Sequence, residues 1–225
     1  MHMQKKFTHI KPETEIKELR SFTDSDGVRY YDSPDGKYPS VTTVTGYEKR
    51  KFFAEWRRKN PEESKRVLKR GNELHSLIED YLSNKDIEIM SNSPNVASLF
   101  MQMRDTLDKI DNIHALEVPL WSRTMALAGR VDCIAEYDGK LSVIDFKGST
   151  RQKREEDIEN YFLQGSAYAI MWREMTGVNI DQFVIMVSSE NGIPCEVFTG
   201  KPYNYVPKLY KTIKNYHGAN PAFLV

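Results

Sequence analysis

Residues 129–147 read GRVDCIAEYDGKLSVIDFK, and this stretch decides the fold. Its two apolar runs are of strand type, and the Asp138-Gly139 dipeptide between them is a two-residue hairpin signal. If the strands pair symmetrically about this turn, Asp132 lies directly opposite Asp145. The sequence therefore predicts an antiparallel hairpin that brings two carboxylates together.

This pair of carboxylates would be unfavourable by itself. Opposed Cβ atoms are about 4.5 to 5.5 Å apart, and two negative charges at that distance repel by about 3 kcal/mol at an effective dielectric of about 20. A divalent cation offsets the repulsion, since magnesium prefers one or two carboxylates together with a substrate phosphate. Period-two alternation also places Lys147 on the face of Asp145, where an ammonium can hold a water or the charge that develops on phosphorus. The alternative is a plain salt bridge between Lys147 and either aspartate.

Apolar periodicity and turn signals give the other elements. Asn60-Pro61-Glu62-Glu63 is a helix start with Asn60 as N-cap, and Gly177 marks a helix end. We expect two helical regions before the sheet. The predicted elements are a hairpin around 28–31, helix within 45–82 and at 95–109, strands at 114–122, 126–137 and 140–148, a helix at 157–175, strands at 182–188 and near 194–198, and a helix at 205–216.

This order of elements indicates an α/β protein with a mixed central β-sheet flanked by helices and an N-terminal helical region. With 225 residues, 40% of them hydrophobic, the chain is long and apolar enough to bury a core. We expect one domain over residues 1–225, made of a hairpin and helical region at 1–110, the core sheet and helix at 111–200, and a C-terminal helix at 201–225.

Composition excludes several kinds of protein. Two cysteines are too few for a disulfide framework or a four-cysteine zinc or iron-sulfur site. No apolar run follows the N-terminus, so we expect no signal peptide, no membrane span and an intracellular protein. A Walker-type phosphate loop is missing, so any coupled ATP hydrolysis would belong to a partner.

Charge is segregated along the chain although the net charge is zero. Residues 48–70 hold ten Lys or Arg and four Glu, whereas residues 76–117 hold three basic and eight acidic residues. The basic stretch is either a solvated helix face or a surface that contacts phosphates. Phe52, Phe53 and Trp56 lie within it and can either stack on bases or pack in the core.

The motifs occur in the order that is typical of a known family. Asp132 followed by Ile144-Asp145-Phe146-Lys147 resembles the signature of the PD-(D/E)xK nuclease superfamily. Within it, the chain resembles the RecB-like exonuclease branch, because His75 follows Gly71 on an upstream helix and Gln164 precedes Tyr168 on the helix after the lysine strand. Residues 39–42 (PSVT) are similar to a segment of mitochondrial and phage exonucleases of that branch.

The resemblance implies a restriction-endonuclease-like core and a metal-dependent exonuclease that acts on single-stranded DNA with free ends, in repair, recombination or replication. Its cofactor would be one or two Mg²⁺ or Mn²⁺ ions, without an iron-sulfur cluster. Implied catalytic residues are Lys147, Asp132, Asp145, Gln164 and Tyr168; implied metal ligands are His75, Asp132, Asp145, the Phe146 backbone carbonyl and Glu117; predicted DNA contacts are Arg57, Arg58, Lys69, Arg70, Ser40 and Thr42.

Two other functions fit the same residues. One is a structure-specific endonuclease, and the other is a non-catalytic DNA-binding partner in recombination. We expect DNA as the macromolecular partner, with a helicase or a single-strand-binding protein as accessory partners, in the cytoplasm of a bacterial or phage-infected cell rather than the mitochondrial matrix. The chain departs from the family at Gly148, where relatives often carry a small hydroxyl residue.

Overall fold

A computed structural model describes residues 5–219. The chain begins with a small antiparallel sheet of three strands in the order β1-β2-β3. These strands are β1 (Ser21–Thr23), β2 (Arg29–Ser33) and β3 (Gly36–Pro39). The sequence predicted one hairpin around residues 28–31, and the structure places the centre of a larger sheet there.

Four helices, rather than the two helical regions expected, lie between the small sheet and the large one. They are α1 (Val41–Thr45), α2 (Arg50–Lys59), α3 (Pro61–Leu82) and α4 (Pro94–Leu107). Pro61 opens α3 as predicted, but the Asn60 side chain does not cap it. That amide donates instead to the Trp56 carbonyl at 2.9 Å, so it closes the end of α2.

The large sheet has five strands in the order β4-β5-β6-β7-β8. Neighbours are antiparallel except β6 and β7, which run parallel because α5 (Glu159–Thr176) crosses between them. The α/β class with a mixed sheet is therefore confirmed. Its strands are β4 (Ile110–Ser122), β5 (Leu127–Tyr137), β6 (Lys140–Ser149), β7 (Gln182–Ser189) and β8 (Glu196–Gly200).

The predicted hairpin joins β5 to β6. Asp138 and Gly139 both have positive φ, 49° and 74°, as a type I′ turn requires. The ladder follows the predicted register as far as the Cys133–Ile144 pair. It ends one residue before Asp132 would meet Asp145, so the prediction that these two form a ladder pair is wrong. The two strands separate at the point where the charged residues begin.

Each face of the sheet buries its own apolar core. One face packs against α1, α5 and α6 (Val206–Ala219), and we call this the α5-side core. The other packs against α3 and α4, and we call it the α3-side core. Successive β6 residues alternate between the two, with Val143 in the first and Ile144 in the second. Among the described residues, no helix is long and apolar enough to span a bilayer.

Candidate active site

An imidazole and two carboxylates from three elements meet beside the large sheet. His75 lies on α3, Glu117 on β4 and Asp132 on β5. His75 Nδ1 is 3.6 Å from Glu117 Oε1 and 3.7 Å from Asp132 Oδ2. One ligand atom from each residue lies within 4.8 Å of the other two. These three side chains can therefore reach one cation.

The backbone at Glu117 explains why both acidic side chains point to the same place. Glu117 has a left-handed φ of 49° in the middle of β4, and the ladder passes from Leu116–Cys133 to Val118–Val131 without pairing Glu117 to Asp132. The first of these flanking pairs packs into the α3-side core and the second into the α5-side core. Residues on either side of this position thus point to opposite faces of the sheet in both strands. The carboxylates of Glu117 and Asp132 lie at the point where the facing changes.

Asp145 and Lys147 form the adjacent part of the site on β6. Lys147 Nζ is 2.7 Å from Asp145 Oδ1, and Asp145 Oδ2 is buried without a hydrogen-bond partner among the described residues. Asp132 Oδ2 accepts a bond of 2.9 Å from the Phe146 N–H, so Asp132 also links β5 to β6 beyond the end of their ladder. The salt bridge considered as an alternative thus exists, and it leaves one carboxylate oxygen of Asp145 free.

The electrostatics of the group favour additional positive charge. Burial raises the pKa of Asp145 to about 6, with Lys147 opposing the rise and Asp132 adding to it. Burial acts to lower the pKa of His75, but Asp132 and Glu117 outweigh it and raise this pKa to about 9. Burial likewise opposes the charge of Lys147, yet Asp145 and Asp132 hold its pKa above the usual value. The carboxylates therefore attract any cation within reach.

These residues fit a divalent metal. Carboxylate oxygens are the ligands that Mg²⁺ and Mn²⁺ prefer, and a neutral imidazole nitrogen is a common additional ligand for Mn²⁺. The unpartnered buried oxygen of Asp145 supports this reading, because a buried carboxylate oxygen normally has a hydrogen bond or a metal. His75, Glu117 and Asp132 would hold the ion, with Asp145 beside them.

Helix α5 supplies the other predicted catalytic residues from the opposite side. Gln164 is buried and its Oε1 has no hydrogen-bond partner in the described chain. Tyr168 is buried too, and its ring lies against Gly129, where an added Cβ would come within 2.7 Å of the hydroxyl oxygen. Proximity to Asp132 and Asp145 adds to burial in raising the pKa of Tyr168. The structure therefore brings Tyr168 to the acidic group.

Comparison with known proteins agrees with this geometry. Residues 96–193 match the model of the PD-(D/E)XK nuclease superfamily, and they include Glu117, Asp132, Asp145 and Lys147. Over these residues the chain is similar to the PD-(D/E)XK nuclease superfamily. The resemblance to this family that the motifs indicated is thus confirmed. Divalent metals are the cofactors of this family.

Individual relatives of this chain are exonucleases by name. Mitochondrial genome maintenance exonuclease 1 of Mus musculus is 28% identical over 128 residues, which cover 51% of this chain and 38% of that protein. The Homo sapiens protein of the same name is 31% identical over 88 residues, or 39% of this chain and 26% of that protein. The chain therefore spans well under half of each relative. A candidate exonuclease from Eubacterium rectale has a solved structure with a TM-score of 0.44 and 11% identity, covering 66% of this chain and 68% of that one.

The residues predicted to contact DNA have different surroundings in this structure. Arg57, Arg58 and Lys69 are exposed, as a phosphate-contacting role requires. Thr42 is exposed, whereas Ser40 is 2% exposed and its hydroxyl caps α1 by accepting from the Thr43 N–H. The Ser40 hydroxyl therefore serves the protein itself.

Arg70 is likewise occupied by protein partners. Only 4% of its side chain is exposed; its guanidinium donates to Glu190 and, at 3.2 Å, to the Gly148 carbonyl. Gly148 has no Cβ, and one placed there would lie 3.1 Å from Leu74 Cδ2 and 3.4 Å from Leu99 Cδ1. Position 148 thus lets α3 and α4 pack closely on β6 directly after Lys147.

Sequence reasoning missed two residues at the site. Tyr161 places its ring 5.3 Å from Lys147 Nζ, and a helical spacing of three from Gln164 could have revealed it. Arg130 donates to the Glu117 backbone carbonyl and forms an ion pair of 2.6 Å with Glu18. No local pattern signals Arg130, because its role depends on a backbone turn in another strand.

Proposed function

We propose that this protein is a divalent-metal-dependent exonuclease that hydrolyses DNA phosphodiester bonds, with single-stranded DNA as its substrate. The observation that carries the proposal is the grouping of His75, Glu117 and Asp132 within 4.8 Å of one another, next to the Asp145–Lys147 pair. The match of residues 96–193 to the nuclease family supports hydrolysis of nucleic acid, and the names of the relatives support exonuclease action.

In this proposal the metal and Lys147 have separate tasks. A bound Mg²⁺ or Mn²⁺ ion would polarise the scissile phosphate and neutralise the charge that develops on it. Lys147 has a raised pKa and stays protonated at neutral pH, so it acts as a hydrogen-bond donor rather than a base. Asp145 holds the ammonium at 2.7 Å and the Tyr161 ring lies 5.3 Å away. Both contacts orient Lys147 toward the reacting phosphate.

A groove beside Lys147 supports single strands as the substrate. It has a volume of about 530 Å³, and its lining runs from Gly148 and Tyr161 to α2. Phe52 and Phe53 line it with 66% and 45% of their surface exposed. Exposed aromatic rings stack on unpaired bases, and the basic side chains of the same groove attract the phosphates. Besides Arg70, which is paired with Glu190, its lining cations are Arg57, Arg151 and Lys153.

The assay that tests the activity compares end-labelled linear single strands with circular ones. Wild type with Mg²⁺ or Mn²⁺ is expected to shorten the linear strand from an end, to leave the circle intact and to stop when a chelator is added. Cleavage of the circle would show an endonuclease. Binding of DNA without any cleavage would show the non-catalytic recombination partner.

Substitutions test whether cleavage depends on the residues of the candidate site rather than on other charged residues of the chain. Asp145→Asn removes the charge beside the cation and is expected to reduce cleavage at least about 100-fold. Asp105→Asn is the matched control, because Asp105 is exposed on α4 outside the acidic group. Equal activity of the two variants would contradict the assignment of Asp145.

The substrate preference has its own test. Phe52→Ala is expected to weaken binding of a single strand about tenfold, because one stacking contact is lost. Tyr203→Ala is the matched control, since Tyr203 is 60% exposed and does not line the groove. If Phe52→Ala binds single strands as wild type does, the groove is not the path of the strand, whatever the outcome of the cleavage assay.

A further inference from the structure

The strained backbone at Glu117 has one prominent support. A glutamate with φ of 49° in the middle of a strand adopts a conformation that L-residues rarely take and that persists only where the surroundings hold it. The neighbouring ladder pairs, Leu116–Cys133 and Val118–Val131, skip this position. The Glu117 carbonyl instead accepts a hydrogen bond from Arg130 Nη1. The contact lies on the β4–β5 pair immediately beside the acidic group.

Arg130 is itself fixed by a second partner. Its Nη2 is 2.6 Å from Glu18 Oε2 and its Nη1 is 3.3 Å from Glu18 Oε1, which is the two-pronged geometry of an arginine–carboxylate pair. The Arg130 side chain is 36% exposed. The guanidinium therefore joins the segment before β1 to the carbonyl of the strained residue, and both of its Nη atoms donate to protein acceptors.

We propose that Arg130 is a positioning residue that holds the Glu117 backbone in its left-handed turn, so that the Glu117 carboxylate reaches the cation shared with His75 and Asp132. This rests on the proposed function, because it assumes that the acidic group binds a metal. Without the Arg130 donor, the Glu117 peptide loses the bond that secures its turn. A regular strand would give residues 116 and 118 the same face, and the carboxylate would leave the group.

The alternative role for an arginine near a nuclease site is direct contact with a DNA phosphate. The two roles differ in what they predict. A phosphate contact changes the KM for DNA and its salt dependence but leaves metal affinity unchanged. A positioning role changes metal affinity in the absence of DNA, since residues behind the ligands typically alter metal affinity about 10-fold to 100-fold.

The experiment is calorimetric titration of the DNA-free protein with Mn²⁺. Wild type is compared with Arg130→Ala, Arg130→Lys, Glu117→Gln and the Arg130→Ala/Glu117→Gln double variant. Arg123→Ala is the matched control, because Arg123 also pairs with a carboxylate, Asp35, at the other end of β4 and β5. Circular dichroism melting confirms that each variant is folded.

We expect Arg130→Ala to weaken Mn²⁺ binding about tenfold. Arg130→Lys should lose less, because an ammonium keeps one donor for the carbonyl but not the fork to Glu18. The double variant should bind no more weakly than Glu117→Gln, because both changes remove the same ligand. Arg123→Ala should bind as wild type does.

Three results would overturn the proposal. Unchanged Mn²⁺ affinity in Arg130→Ala, with weaker binding in Glu117→Gln, overturns the positioning role and leaves the metal site intact. Losses that multiply in the double variant show that Arg130 acts independently of Glu117. Absence of Mn²⁺ binding by folded wild type overturns the metal-dependent function together with this inference. If Arg130→Ala does not fold, Arg130→Lys decides the same question by its intermediate loss.

Discussion

Two clusters of charged residues flank α3, and they differ in how their charges balance. At the candidate active site, Glu117, Asp132 and Asp145 face one ammonium and one imidazole. About one and a half to two and a half turns before His75 on α3, Arg66 and Arg70 share Glu190, and Arg66 also pairs with Glu63 at 2.6 Å. The second cluster has two cations for two carboxylates.

The difference indicates a structural role for the Arg66–Arg70–Glu190 cluster and room for a bound cation at the other cluster. In the Arg66–Arg70–Glu190 cluster every charge has an opposite partner, and these bonds tie α3 to the end of β7. At the candidate active site the carboxylates outnumber the cations, and a buried oxygen of Asp145 has no partner in the described part of the chain. Like charges kept together in this way cost stability unless a cation joins them.

The largest expected effect follows from removal of the one ammonium in the acidic cluster. Lys147→Ala should reduce single-turnover cleavage about 1,000-fold, because a donor aimed at the developing phosphate charge is lost. Lys140→Ala, a change on the same strand at an exposed position, should cleave as wild type does. Activity of Lys147→Ala within about threefold of wild type would contradict its role.

Next in size is the response of the two clusters to metal. Mn²⁺ at about 100 times its Kd should raise the free energy of unfolding of wild type by about 2.7 kcal/mol. Asp132→Asn should lose most of this gain and Glu190→Gln should keep it, as measured by thermal melts with Mn²⁺ and with chelator. A Glu190→Gln protein that no longer responds to Mn²⁺ would show that the two clusters are coupled.

The stability that the Arg66–Arg70–Glu190 cluster contributes should change with pH in the opposite sense from that of the acidic group. Arg66 and then Arg70 hold the pKa of Glu190 below its usual value of 4.5, so its stabilising effect is complete above pH 4.5 and is lost as pH falls through the lowered pKa. Glu190→Gln should cost about 2 kcal/mol at pH 7.

Denaturant unfolding of Glu190→Gln at a series of pH values checks this. The gap between wild type and variant should close in acid. Glu62→Gln is the control, because its pair with Lys65 is exposed and should contribute about 0.5 kcal/mol or less. A gap that widens in acid would mean that Glu190 stabilises the fold by something other than its charge.

The smallest expected effect is a gain in stability rather than a loss. The pKa of Asp145 is raised by burial from 3.8 to about 6, so ionisation of Asp145 opposes folding, and this cost is absent below pH 3.8 and complete above pH 6. Metal-free Asp145→Asn should therefore be more stable than wild type by about 1 kcal/mol at pH 7.5. Thermal melts at pH 7.5 and pH 5 should show the gain shrinking in acid, and a variant that melts earlier at both values would be inconsistent with it.

Local sequence patterns predicted much of the fold and of the candidate site. Asp138-Gly139 predicted the β5–β6 hairpin and its register, because a type I′ turn depends on two adjacent residues. Alternation along β6 then placed Asp145 and Lys147 together. His75 became a candidate through the family motifs, and the structure places its Nδ1 3.7 Å from Asp132.

The features that the sequence did not predict depend on contacts between segments that are distant in the chain. The ladder ends before Asp132, and beyond that point the Asp132 side chain accepts a hydrogen bond from the Phe146 N–H. The turn at Glu117 is held by an arginine from the next strand. Asn60 fits the N-cap preference of α3, yet the preceding helix competes for the same amide. The capping propensity of Asn60 describes that residue alone, so it cannot show which of the two adjacent helices the Asn60 side chain will bond.

Gly148 links the architecture of the site to its possible variation. Leu74 immediately precedes His75, and its Cδ2 would be 3.1 Å from a side-chain carbon at position 148. A homologue with serine there needs α3 a few tenths of an ångström farther out or a smaller residue at 74. The size of the residue at position 148, directly after Lys147, therefore sets how closely α3 and its His75 approach β6. Residues at positions 74, 99 and 148 should vary together during divergence.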